Sequence, residues 1–148
     1  MNKENCRRIV REVLHDMDRH SGQAELAIMM IIAHESFEGN YWFQIGGPAL
    51  GVIQMEPVTH DSVWDFGDTV HANAKKLGLV RDVTQLYKSL EYNIFMARQR
   101  LLMDVNPFPK HARELSIYLK EYWNAGGRAG DLDYYTAYQR WLDFDFIV

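Results

Sequence analysis

The chain has 148 residues, 47% hydrophobic and 24% charged, enough apolar material for one domain with its own core, 1–148. A single cysteine, Cys6, excludes an internal disulfide framework, and a net charge of −4 argues against a nucleic-acid footprint. Aromatic residues reach 13%, with four Trp and eight Tyr, so some are available for a surface role.

Apolar residues Cys6, Ile9, Val10, Val13, Leu14 and Met17 recur at helical spacing, which predicts an amphipathic helix over 3–19. Ser21 is a good N-cap for a second helix over 22–36. That segment is apolar nearly all round, as a buried central helix is. Its longest apolar run, 26–33, is too short to span a bilayer, so no stable membrane insertion is expected. The opening stretch lacks the apolar core of a signal peptide. Synthesis in the cytoplasm is therefore expected, with delivery by another route.

After Gly39-Asn40 the character changes. The aromatic run 41–45, the turn Gly46-Gly47-Pro48 and a second extended run over 50–54 predict a small β-hairpin. Pro57 suits the first turn of a third helix, continuing over 58–66. Further helices are predicted at 69–77, 89–104, 109–123 and 131–144. The expected fold class is mostly α (α+β), with one small β-hairpin after the second helix.

Glu35 stands at the end of the apolar helix. Burial makes its ionised form costly, so its pKa is expected to rise. A carboxyl kept protonated near neutral pH can act as a general acid. Tyr41, Trp42, Gln44, Gln54 and Glu56 follow within a turn-rich stretch. Cleaving a sugar polymer needs a proton donor, polar groups for ring substituents and aromatic faces for the rings. Each residue also has a plainer use. Tyr41 and Trp42 can pack a hairpin, Gln54 can satisfy backbone groups, and Glu56 can complement a helix N-terminus.

The order of segments resembles the lysozyme-like lytic transglycosylases, with the goose-type lysozymes as relatives. Those families carry a Glu-Ser pair at the end of a buried helix, similar to Glu35-Ser36. They follow it with a Gly-x-x-Gly-Leu-x-Gln-x-x-Pro-x-Thr pattern, similar to the run from Gly47 through Gln54 and Pro57 to Thr59. An Asn-Ile helix segment is matched by Asn93-Ile94. A Tyr-Asn-Ala-Gly motif is matched by Trp123-Asn124-Ala125-Gly126, with Trp in place of Tyr and Tyr122 adjacent. Leu50 and the acidic Glu56 also depart from the family pattern.

The resemblance implies a lysozyme-like fold with a cleft between the hairpin-bearing part and the C-terminal helices. It implies cleavage of the β-1,4 bond between N-acetylmuramic acid and N-acetylglucosamine in peptidoglycan, with Glu35 as catalytic acid. Ser36, Gln54, Tyr122 and Asn124 would orient the acid or hold substrate, with Trp42 and Glu56 as further candidates. No cofactor or metal is implied, and the partner is the glycan strand. A lytic transglycosylase needs only Glu35, which serves as acid and then as base. A hydrolase needs a second carboxylate, for which Glu56, Asp61 and Asp65 are the nearby choices; the motifs favour the transglycosylase. A murein-cleaving domain of this size suits a bacteriophage, as an endolysin released through holin lesions or an enzyme carried in the virion. A bacterial wall-remodelling enzyme or a secreted effector fits as well.

Other chemistries fit less well. His34-Glu35-Ser36-Phe37-Glu38 lacks the second histidine of a zinc-protease helix. The glycines at 46, 47 and 51 lack the order of a nucleotide-binding loop. Cys6 reads as a packing residue and His34 as a locally bonded helix-end residue. A non-catalytic glycan-binding or structural module is the remaining alternative.

Overall fold

The computed structural model describes residues 1–142. Among them all regular structure is helical. Seven α-helices run in order: α1 Lys3–Asp16, α2 Gly22–Glu35, α3 Pro57–Asp65, α4 Asp68–Leu77, α5 Leu90–Leu102, α6 Ala112–Tyr122 and α7 Asp133–Arg140. A short 3-10 helix, Val83–Tyr87, precedes α5.

Helix α2 is the centre. It packs against α1, α5, α6 and α7, and Ile28, Met29, Met30, Ile31 and Ile32 are at most 1% exposed. Each such side chain contributes roughly 1.5–3 kcal/mol of burial. The Ser21 hydroxyl accepts from Ala24 N at 3.0 Å and starts the helix. At the other end the Ser36 hydroxyl donates to Ile32 O and accepts from Gly39 N, both at 3.0 Å. Phe37, Glu38 and Gly39 then all take positive φ, which reverses the chain.

The ends of the predicted helices moved for identifiable reasons. Helix α1 stops at Asp16 rather than 19 because Asp18 is left-handed (φ 57) and Arg19 N returns to Leu14 O at 2.9 Å. Pro107 and Pro109 delay α6 to Ala112. Helix α7 ends at Arg140, and positions 143–144 of the helix predicted there lie outside the described residues.

The expected α+β class is corrected: no β-hairpin forms after α2. Only two isolated bridges occur, Phe43 with Leu50 and Leu50 with Met55. A ladder needs consecutive paired residues, and here the backbone turns too often. Gly46 and Gly51 have φ of 73° and 79°, Gln54 has φ 49°, and Pro48 has no N–H to donate. The segment is instead a folded loop over 40–56.

Asn93 pins that loop. Its side chain, fully buried on α5, donates to Leu86 O and Ser89 O at 2.8 Å and accepts from Ile53 N at 3.4 Å. Gly51 must be glycine on two counts. Its φ is positive, and a Cβ would lie 2.1 Å from Asn93 Oδ1 and 2.3 Å from Leu86 O. Gly51→Ala is therefore expected to cost about 3 kcal/mol or more, read as a lower midpoint in urea unfolding. A change below about 0.5 kcal/mol, the usual range for a surface site, would show that the loop is not held this way.

Candidate active site

Five pieces of chain converge on one cleft of about 650 Å³. Helix α2 supplies Glu35, the 40–56 loop supplies Gln44, Gln54 and Met55, and the start of α3 supplies Glu56 and Thr59. Helix α5 supplies Arg100, and the end of α6 with the following turn supplies 122–127. The volume suits a short stretch of polymer or a small ligand.

Glu35 is held where its chemistry is unusual. Burial in the cleft floor pushes its carboxyl above the ordinary range. Two groups oppose that push without cancelling it: the Tyr134 hydroxyl, which donates to Glu35 Oε1, and the Arg100 charge. Tyr134 is fully buried on α7. Burial, with the adjacent Glu35, drives its phenol well above the ordinary value, so it stays a donor. The neighbouring Asn124 side chain partly offsets that rise. The His34 ring packs against Tyr134 at 4.6 Å between centroids, and burial lowers its pKa. His34 is thus a packing neighbour of the acid's partner.

The turn after α6 is shaped around Asn124. A Cβ at Gly127 would lie 1.4 Å from Asn124 Oδ1, so a larger residue there would push the amide out of its present position. Lys120 Nζ donates to Asn124 O at 3.0 Å and to Gly127 O at 2.7 Å, closing the turn. Ser116, buried on α6, donates to Asp131 O at 2.8 Å and accepts from Tyr135 N at 3.0 Å. That pair of bonds sets the start of α7, and hence the reach of Tyr134.

The residues expected from sequence fall into two groups. Glu35, Gln54, Glu56, Tyr122 and Asn124 meet in the cleft. Gln54 is braced by its own Nε2, which donates to Gly51 O at 2.9 Å. Tyr122 donates to Arg100 O at 2.8 Å. Glu56 is exposed, and its carboxylate makes no cap bond to α3. Ser36 and Trp42 do not line the cleft. Ser36 is the buried cap of α2, and Trp42 packs against the core. Asp61 and Asp65 pair instead with Arg81, at 3.4 and 2.8 Å.

Gln44, named in the sequence beside Glu35, lines the cleft as well, while Arg100 and Tyr134 are cleft or acid-contacting residues that the sequence did not single out. Arg100 had a signal: it lies seven residues, two helical turns, beyond Asn93 and so on the same face. Tyr134 had none, being 99 residues from Glu35. Among the described residues no cluster of His, Cys, Asp and Glu is arranged to hold a metal, and no helix is long and apolar enough to cross a membrane.

Comparison with protein-family models, with curated proteins and with solved structures finds no match. The site therefore rests on its own geometry.

Two outcomes follow from the electrostatics. Because the folded-state pKa of Glu35 is raised, its contribution favours folding at low pH and is lost as pH rises through the folded value. Glu35→Gln should therefore gain stability over the parent as pH increases from 4 toward 8, read from paired thermal melts. A difference independent of pH would contradict a Glu35 whose pKa is raised by burial. In Tyr134→Phe the carboxylate loses a donor, so the Glu35 pKa should rise further, read by carboxyl-carbon NMR titration. A fall would contradict the hydrogen-bond assignment.

Proposed function

We propose that the chain is a peptidoglycan-cleaving enzyme that breaks the β-1,4 bond between N-acetylmuramic acid and N-acetylglucosamine, with Glu35 as proton donor. The observation that carries this reading is a carboxyl whose pKa is raised by burial, yet which lines an open polar cleft and accepts from a buried tyrosine hydroxyl. The ordered motifs around it, from Glu35-Ser36 to Asn124-Ala125-Gly126, support the same class.

The chemistry would run as follows. Glu35 gives its proton to the glycosidic oxygen as that bond breaks through an oxocarbenium-like state. The carboxylate left behind is stabilised by the Tyr134 hydroxyl on Oε1 and by the Arg100 charge. It then takes the proton of the muramyl C6 hydroxyl, whose oxygen bonds to C1 and closes a 1,6-anhydro ring. Proton, leaving group and new bond are all accounted for, and Glu35 returns to its starting state. Gln44, Gln54 and Asn124 provide amide groups along the cleft for the sugar substituents, and Tyr122 provides aromatic surface beside the largely buried Trp123.

Glu56 supports a second reading. It lines the same cleft and makes no bond to the helix it precedes, so it is available to activate water, making the enzyme a hydrolase. For either reaction the substrate is the glycan strand. We further propose delivery to the wall through holin lesions or aboard a virion.

Purified protein incubated with peptidoglycan should release soluble muropeptides. Glu35→Gln should slow release by about a hundredfold or more. Mass spectrometry separates the two reactions: 1,6-anhydro ends identify the transglycosylase, and reducing ends identify the hydrolase and give Glu56 its role. No release across pH and salt, or release by Glu35→Gln at the parent rate, would overturn the reading and leave a glycan-binding module.

A further inference from the structure

Arg100 lines the cleft with no carboxylate paired to it among the ion pairs of the described residues. Its guanidinium is not loose. It lies over the Trp123 ring at 5.1 Å from the centroid, and Nη2 reaches Trp123 O at 3.5 Å, the limit of a hydrogen bond. The side chain is half-buried, and the Tyr122 hydroxyl ties down the Arg100 carbonyl. A guanidinium has five donors in a fixed fork suited to a carboxylate. Here it is oriented, partly desolvated and left with most of those donors unused.

The nearest acid does not satisfy it. Glu35 is the carboxyl that Arg100 feels, but the two form no ion pair among the described residues, and the Glu35 carboxyl is already engaged by the Tyr134 hydroxyl. The exposed Glu56 on the loop wall is not in an ion pair with it. The other groups facing Glu35 are Tyr134 and Asn124, and neither supplies a negative charge while the phenol holds its proton. A lone cation in a cleft of a chain whose net charge is −4 is costly unless something anionic visits it.

We propose that Arg100 is a specificity-determining residue that binds a free carboxylate on the glycan, so that the cleft prefers acidic sugar strands to neutral ones. This rests on the reading of the cleft as a glycan site. In peptidoglycan the matching group is the lactyl carboxylate of N-acetylmuramic acid. That group is free only where the stem peptide has been removed. The class of reaction that must supply the preferred substrate is therefore amide hydrolysis, which exposes the carboxylate before the strand is cut.

The test is an NMR titration of the isotope-labelled protein with three probes: N-acetylmuramic acid, its neutral methylamide, and N-acetylglucosamine. The amide signals of Asn124 and Gly126 report binding. The free acid should bind roughly tenfold more tightly than either neutral probe, as one charge-assisted bidentate contact provides. That preference should shrink between 50 and 500 mM salt (about a threefold shortening of the Debye length), a readout that needs no variant. Arg100→Met should abolish the preference, and Arg100→Lys should keep part of it. Equal affinity for all three probes, or a preference unchanged in Arg100→Met, overturns the proposal. Failure here with cleavage intact removes only the role of Arg100. A clear preference without cleavage removes the enzymatic reading and leaves the carboxylate site.

Discussion

Burying the last turn of α2 while leaving one carboxyl of that turn facing a cleft is the constraint on which the rest of the structure depends. Helix α2 is surrounded by α1, α5, α6 and α7, so the position of Glu35 is set by the whole core. Desolvation raises its pKa, and the Tyr134 hydroxyl and the Arg100 charge moderate that rise. A fully apolar surround would raise it further and a wet one would leave it near the ordinary value, so the balance between them fits the general-acid role proposed for it.

Much of the remaining architecture serves that arrangement at a distance. Asn93 and Gly51 fix the loop that carries Gln54 and Met55 to the cleft. Ser116 fixes the start of α7, from which Tyr134 reaches Glu35. Gly127 gives Asn124 its place. These groups need not touch a substrate to matter, because each holds a neighbour that lines the cleft or contacts the acid. The aromatic excess noted in the composition divides in the same way. Tyr92, Tyr134, Trp64 and Trp141 are core, whereas Tyr122 and Trp123 edge the cleft.

The helices were legible because their signals are local. Ser21 and Pro57 mark starts, and apolar spacing marks the faces. The 40–56 loop differs from the expected hairpin because its aromatic and β-branched residues carry strand propensity, while Gly51 is pressed against Asn93 and Leu86 with positive φ, and Gln54 also turns left-handed. Glu35, Gln54, Glu56 and Asn124 were legible as cleft residues from their order along the chain. Ser36 and Trp42 shared that order but face inward, since a position in a motif does not say which way a side chain points. Tyr134 was invisible for a different reason. Its partner is 99 residues away, and nothing local to 131–138 distinguishes a tyrosine that packs from one that holds an acid.

The central claim is that one carboxyl, Glu35, both titrates abnormally and carries the reaction. The most direct measurement is the pH profile of muropeptide release set beside the NMR titration of Glu35 in the same protein. The account predicts that the alkaline limb of the rate follows the ionisation of Glu35, above the ordinary carboxylate range, and that both move upward together in Tyr134→Phe. A rate that is indifferent to the Glu35 titration, or a Glu35 that ionises at an ordinary carboxylate value, would contradict it.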